Sequence, residues 1–164
     1  FTTAKTFLTG QAVTQEVPKA VTTNLTGDAK TLFLNGVEVY RREGHCVTCH
    51  QENGLGLPAA QFPPLAKTKW VQGSPERLIK LTLNGLLGPI EVKGVSYTGQ
   101  VPMTQFHGLS DGDLAAVLTY VRNAFGNQAS MITPAQVKVV RDASKGFKEF
   151  YAPEDLLKSH PHQE

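Results

Sequence analysis

Only two of the 164 residues are cysteine, and they stand three positions apart, as Cys46 and Cys49. A disulfide framework is therefore excluded as a source of stability, and the compartment has to be argued on other grounds. Charge of one sign is also scarce. Charged residues make up 18% of the chain and the formal net charge is +2, too little to make nucleic acid or an anionic membrane the main partner. No stretch approaches the ~18 apolar residues of a membrane span, which excludes a transmembrane helix. The amino end carries no basic segment leading into an apolar one. The chain opens on Phe1, as a processed mature chain or a domain cut from a longer protein would. Its length suits one domain with extensions, enough to bury a real core.

What is present gathers around one stretch, Cys46-Val47-Thr48-Cys49-His50. Two thiols at this spacing with a histidine directly after them read as a site of covalent c-type haem attachment. Each cysteine closes a thioether to one vinyl group, and His50 is then held at one face of the ring as an iron ligand. Two other readings compete. A redox dithiol would want a thioredoxin-like βαβ context, and half of a zinc site would want two further ligands at metal spacing. There are no other cysteines, and His45, His107, His160 and His162 form no zinc spacing. Covalent haem implies maturation outside the cytoplasm, so the location is read as periplasmic or otherwise extracytoplasmic.

Around this stretch the pattern is helical. Residues 1–27 are rich in threonine and broken by Gly10, Pro18 and Gly27, which reads as an irregular arm or linker. Asp28 is the expected N-cap of a first helix, with Phe33, Gly36, Val37 and Tyr40 at helical spacing and Gly44 as its stop. Gly36 would let another backbone come close. A loop from Gln51 to Lys69, marked by Pro58, Pro63 and Pro64, is long enough to border a cofactor. Ser74 and Pro75 open a second helix through Leu83, ended by Gly85. Ile90 to Tyr97 alternates around Lys93-Gly94, a hairpin signal. Ser110 and Asp113 cap the strongest amphipathic helix, with Leu114, Val117, Leu118 and Val121 as its stripe and Gly126 as its end. Thr133-Pro134-Ala135-Gln136 opens another helix, anchored by Val137, Val140 and Phe147. Pro153 starts a last turn through Leu157, and residues 160–164 read as frayed.

The order of these parts resembles the class I c-type cytochromes over roughly Asp28 to Asn127. More closely, it resembles bacterial monohaem cytochrome c domains associated with periplasmic oxidoreductases, including quinoprotein dehydrogenases and some copper nitrite reductases. The resemblance implies an all-α cytochrome c fold around one covalently bound haem. Residues 1–27 would then form the arm, 28–127 the haem domain and 128–164 a short helical C-terminal extension. It also implies a first and a last helix crossing near right angles, Gly36 and Tyr40 meeting Val117 and Tyr120. The Pro63 carbonyl would hold the far nitrogen of His50, which orients a ligating imidazole and makes it more basic, and Leu65 would touch the haem face. Where many such modules have Met-Pro at the ligand loop, this chain has Pro102-Met103.

The same resemblance makes Met103 the candidate sixth ligand, on an irregular segment before the terminal helix. Met103 as core filler, His107 as ligand and an open site are the alternatives. Trp70, Tyr97 and Arg77 are candidates to bond haem propionates or the Met103 sulfur, and equally ordinary core or surface residues. The implied function is one-electron transfer, as a carrier or as the haem module of a larger oxidoreductase, without chemistry on a substrate. The redox partner would be a dehydrogenase, reductase, oxidase or another cytochrome, in the same chain or apart. A haem enzyme or gas sensor with an open or labile distal site is the alternative, and residues 128–164 could serve as a docking segment in either case. Between Leu32 and Asn127 eight basic residues face seven acidic ones, so the surface offers little long-range steering.

Overall fold

The apolar stripe of the first helix, α1 (Gly27–Arg41), turns Phe33, Gly36, Val39 and Tyr40 inward. In the computed structural model, which describes residues 25–42 and 44–162, this stripe lies against α5 (Asp111–Asn123) in the most extensive helix contact of the fold. A side chain at Gly36 would overlap the Ala116 carbonyl and the Cβ of Tyr120, so glycine is what allows the two backbones to meet. Aromatic rings close the crossing. Tyr120 lies 5.2 Å from both Phe33 and Tyr40, and Phe125 lies 5.6 Å from Tyr120, centroid to centroid. Ala116, rather than Val117, takes the contact with Gly36, which leaves Val117 to face the interior beyond the helix pair.

Between these helices run α2 (Cys46–His50), a 3₁₀ turn at Pro58–Ala60, α3 (Lys69–Gln72), α4 (Pro75–Asn84) and a hairpin of β1 (Ile90–Val92) and β2 (Val95–Tyr97). The hairpin pairs Ile90 with Tyr97 and turns at Lys93 and Gly94, both with positive φ, as the Lys-Gly signal predicts. Ser74 accepts from the Arg77 amide and Pro75 fills the first helical position, so α4 begins where expected. In α5 the Ser110 hydroxyl accepts from the Asp113 amide at 3.0 Å. The Thr133 and Gln136 side chains close a reciprocal capping box on α6 (Pro134–Ala143). A short α7 (Pro153–Ser159) follows.

Several boundaries differ from expectation. The cap position of α1 is Thr26 and makes no side-chain bond, while Asp28 lies inside the first turn, where its charge still favours the helix dipole. α1 stops at Arg41 rather than Gly44, and α5 stops at Asn123, with Ala124 already extended. α3 is an addition between the end of the expected loop and the Ser74 cap, held by the Thr68 hydroxyl, which accepts from the Trp70 and Val71 amides. Phe147 stands outside α6 and stacks on Tyr151 at 4.4 Å. His160 and His162, read as frayed, are docked: Arg77 donates to the His160 carbonyl at 2.7 Å, and His162 lies edge-on to Trp70. The arm expected before Gly27 lies, up to residue 24, outside the described residues.

The architecture is helical with one small hairpin, in agreement with the all-α expectation. Residues beyond Asn127 join the same core: Ile132, Val137 and Leu156 are buried among Leu78, Ile79 and Leu114. No described helix is long and apolar enough to cross a membrane.

Candidate haem site

The attachment motif is a turn and a half of helix, which places Cys46 and Cys49 on neighbouring positions of one face and carries His50 to its end. Tyr40 fastens this turn to α1, its hydroxyl donating to the Gln51 carbonyl at 2.8 Å. After His50 the chain doubles back. The Gly56 amide donates to the His50 carbonyl, Leu57 and Phe62 exchange backbone bonds, and the amides of Leu65 and Ala66 both donate to the Gly54 carbonyl. A Cβ at Gly56 would run into the Phe62 and Pro63 carbonyls, and its φ is +68°, so this fold-back depends on glycine. Its result is that the Pro63 carbonyl stands 2.9 Å from Nδ1 of the buried His50. That nitrogen therefore donates, and Nε2 is the one left with a free lone pair, able to ligate a metal.

Cys46, His50, Pro63, Leu65 and Met103 line one cavity of about 690 Å³, its open side included. Cys49, one turn along from Cys46, is partly exposed and outside the lining. The rest of the wall is apolar but for Thr82, whose hydroxyl donates to the Leu78 carbonyl. α3 and α4 supply Trp70, Val71 and Leu78, the hairpin Ile90 and Val92, and α5 Val117 and Val121. Burial pulls the His50 pKa below its ordinary value, keeping the imidazole neutral as a metal ligand must be. Burial pushes the Cys46 thiol up to about 12 and also raises Cys49, opposite to the depressed thiol of a catalytic dithiol. A flat apolar macrocycle with two thioether links and one imidazole ligand fits this donor set; a hydrated metal ion does not.

Met103 reaches the cavity on a segment that pairs with Leu86, the Met103 amide donating to the Leu86 carbonyl at 2.9 Å and the Leu86 amide returning the bond. His107 is exposed and Met131 lies outside the lining. Trp70 is at the wall, but its indole N–H is spent on the Glu91 carbonyl at 3.0 Å. Arg77 is wholly buried and directs its two terminal nitrogens at the Lys69 and His160 carbonyls. Tyr97, the last residue of β2, is buried and outside the lining.

Sequence reasoning misses several residues that hold this site. Buried Asn127 accepts from the Lys67 amide at 2.6 Å and donates to the Leu65 and Val121 carbonyls, tying the Pro63–Lys67 loop to the end of α5. Arg141 of α6 binds Asp111 and the His107 and Leu109 carbonyls, bracing the chain just after Met103. Tyr151 continues the Leu86 pairing from its other side. The Gly-Asn after α5 is a weak local cue for the first; nothing local marks the other two.

Comparison with known proteins agrees with this geometry. The cytochrome c family model matches residues 33–125. Two cytochrome c-552 sequences of Thermus thermophilus are 38% and 39% identical to the chain over 132 and 124 residues, covering 75% and 73% of it and 78% and 80% of their own lengths. The fructose dehydrogenase cytochrome subunit of Gluconobacter japonicus is 29% identical over 116 residues, 70% of this chain and 24% of that subunit. The spacing of Cys46 and Cys49, the apolar cavity and these matches lead to one conclusion: the chain belongs to the cytochrome c family, with covalently bound haem c and haem-mediated electron transfer as its function.

Proposed function

We propose that the chain is a one-electron carrier, or the haem module of a larger oxidoreductase, in which His50 and Met103 are the two axial ligands of a haem held by Cys46 and Cys49. The observation that carries this reading is that Met103 and His50 border the same cavity, whereas His107 and Met131 do not. The bound haem supplies a reversible one-electron centre. The protein's part is to keep that centre closed and dry. Pro63 fixes the imidazole, and Leu65 would cover the ring while Trp70, Val71 and the α5 stripe would keep water from it. Among the described residues the lining offers no carboxylate and no second imidazole, so no group is placed to move protons as a haem peroxidase requires.

The likeness to a dehydrogenase cytochrome subunit supports a dehydrogenase or another cytochrome as redox partner, and haem attachment supports a periplasmic or other extracytoplasmic location. Residues 28–127 form the haem-carrying unit, with 128–162 packed as an integral brace. The test is spectroscopic. In the oxidised protein a near-red sulfur-to-iron charge-transfer band is expected, lost in Met103→Ala, which should also bind added imidazole, and kept in Met131→Leu. A band lost on replacing Met131 would move the distal ligand there; its absence from the unaltered protein would leave the distal site open or histidine-bound.

A further inference from the structure

Arg77 and Arg122 are among the most buried side chains of the molecule, at 0% and 2% exposure. Neither appears in any of the ion pairs among the described residues. Both spend their donors on neutral acceptors. Arg77 reaches the Lys69 carbonyl at 2.6 Å and the His160 carbonyl at 2.7 Å, and its Nε has no partner among the described residues. Arg122 reaches the Val71 and Gly73 carbonyls at 2.7 and 3.0 Å, the Ser130 carbonyl at 2.8 Å and the Ser130 hydroxyl at 3.0 Å. Two cations, from α4 and α5, thus converge on the four-residue helix α3 and its end.

That helix is a wall of the haem cavity. Trp70 and Val71 line it, and the Arg77 guanidinium carbon lies 4.9 Å from the centre of the Trp70 ring. Carbonyl dipoles satisfy all the donors but Nε of Arg77 and do not cancel the charge, and an unpaired ion so deeply placed carries a desolvation cost that neutral acceptors do not repay. A neutral amide could tie the same carbonyls at a lower cost. What only a cation adds is a positive potential, weakly screened because the wall excludes water.

We infer that Arg77 and Arg122 tune the redox centre, their fixed charges behind the Trp70–Val71 wall disfavouring the oxidised state and so raising the reduction potential. The electron comes from the partner protein; iron passes from the ferric to the ferrous state, one positive charge is lost from the haem, and no bond or proton changes place. The inference rests on the electron-transfer reading, and the near-red band of each variant separates a lost Met103 ligand from a lost charge.

Ser130 gives the cleanest test, because it is exposed yet touches the Arg122 guanidinium. Ser130→Asp places a carboxylate against that guanidinium without disturbing its backbone bonds, and Ser130→Asn is the uncharged match. In a redox titration of the haem-loaded protein, Ser130→Asp should shift the reduced-to-oxidised ratio at fixed ambient potential roughly three- to tenfold toward oxidised. The shift should persist at high salt, with Ser130→Asn near the parent. Arg77→Gln should shift it in the same direction while Arg77→Lys does not. Equal behaviour of Asp and Asn at position 130, with the band intact, would overturn the inference and leave the arginines as backbone struts. The Ser130 pair decides if an Arg77 variant fails to fold.

Discussion

The two sides of the haem cavity are built in different ways. On the His50 side the contacts that shape the site are made within about twenty residues of chain, as Tyr40 to Gln51, Gly56 to His50 and His50 to Pro63, the Asn127 clasp on Leu65 and Lys67 being the exception. The Met103 side is assembled from distant segments. Leu86 pairs with Met103 and Tyr151, Gln105 donates to the Lys148 carbonyl, and Arg141 holds the loop from His107 to Asp111. A site whose one half closes locally and whose other half waits for the tail should fail in two distinct ways. Damage to the first should cost the cofactor, and damage to the second should cost only the distal ligand.

The largest effect is expected on the local side. Replacing Cys46 and Cys49 together by serine should abolish covalent haem, so that acid-acetone extraction removes all colour from the polypeptide. In the unaltered protein the colour should stay with the chain. Colour that remains bound in the double variant would mean that the attachment is made elsewhere.

On the assembled side, Arg141→Ala removes an ion pair with Asp111 and two charge-assisted bonds to carbonyls, at 2.6 to 2.9 Å. A loss of about 1–2 kcal/mol in stability is expected, with haem still attached. Because the lost bonds anchor the chain just past Met103, external imidazole should bind the ferric protein roughly tenfold more tightly, equivalent to ~1.4 kcal/mol. Unchanged imidazole affinity at reduced stability would show that the brace serves folding alone and that the two sides are not separable.

This division also accounts for what the sequence discloses. The haem motif, the Ser74-Pro75 start, the Lys93-Gly94 turn and the Thr133–Gln136 box are all short-range, so composition and spacing suffice to read them. α3 is too short to show a helical period, and its cap, Thr68, follows a proline-rich loop that reads as irregular. The docking of His160 and His162 depends on Arg77 and Trp70, more than eighty residues earlier in the case of the Arg77–His160 bond. The Asn127 clasp on Leu65 and Lys67 is of the same kind. Met103 could be picked out by its place before α5, but its partner Leu86, and Tyr151, which pairs with Leu86 in turn, could not.

A smaller effect follows from the tail histidines. His160 packs beside Lys80 and Arg77, with Glu76 at 3.5 Å, and His162 beside Trp70, Arg77 and Lys69. Burial, then the nearby cations, lowers both pKa values. A depressed folded-state value means that the unfolded chain binds protons first as pH falls. The tail's contribution is therefore full above the unfolded histidine pKa of ~6.5 and declines as the solution is acidified through it. Relative to the intrinsic exchange rate at each pH, the protection of the α7 amides should fall between neutral and mildly acidic pH, and His160→Gln should flatten that response. The amides of α2, on the local side, should show no such change.

The smallest effect concerns the surface, where the two sides again differ. The fold-back after His50, residues 55–62, carries no charged side chain and exposes Leu55 and Leu57 at 54% and 45%. The distal and tail side is laced with ion pairs, among them Arg141–Asp111, Lys138–Asp142 and Lys158–Asp155. If the partner docks on the fold-back, recognition rests on burying a modest apolar area in a brief contact, and little of the encounter is steered by charge. The second-order rate constant for electron exchange should then change by less than about threefold across a salt series that shortens the Debye length from ~30 to ~8 Å. A steep fall with added salt would move the docking surface to the charged tail side. Leu57→Asp separates the two cases without touching the cavity wall: it should slow exchange several-fold if the fold-back is the surface used, and leave the rate alone if the tail is.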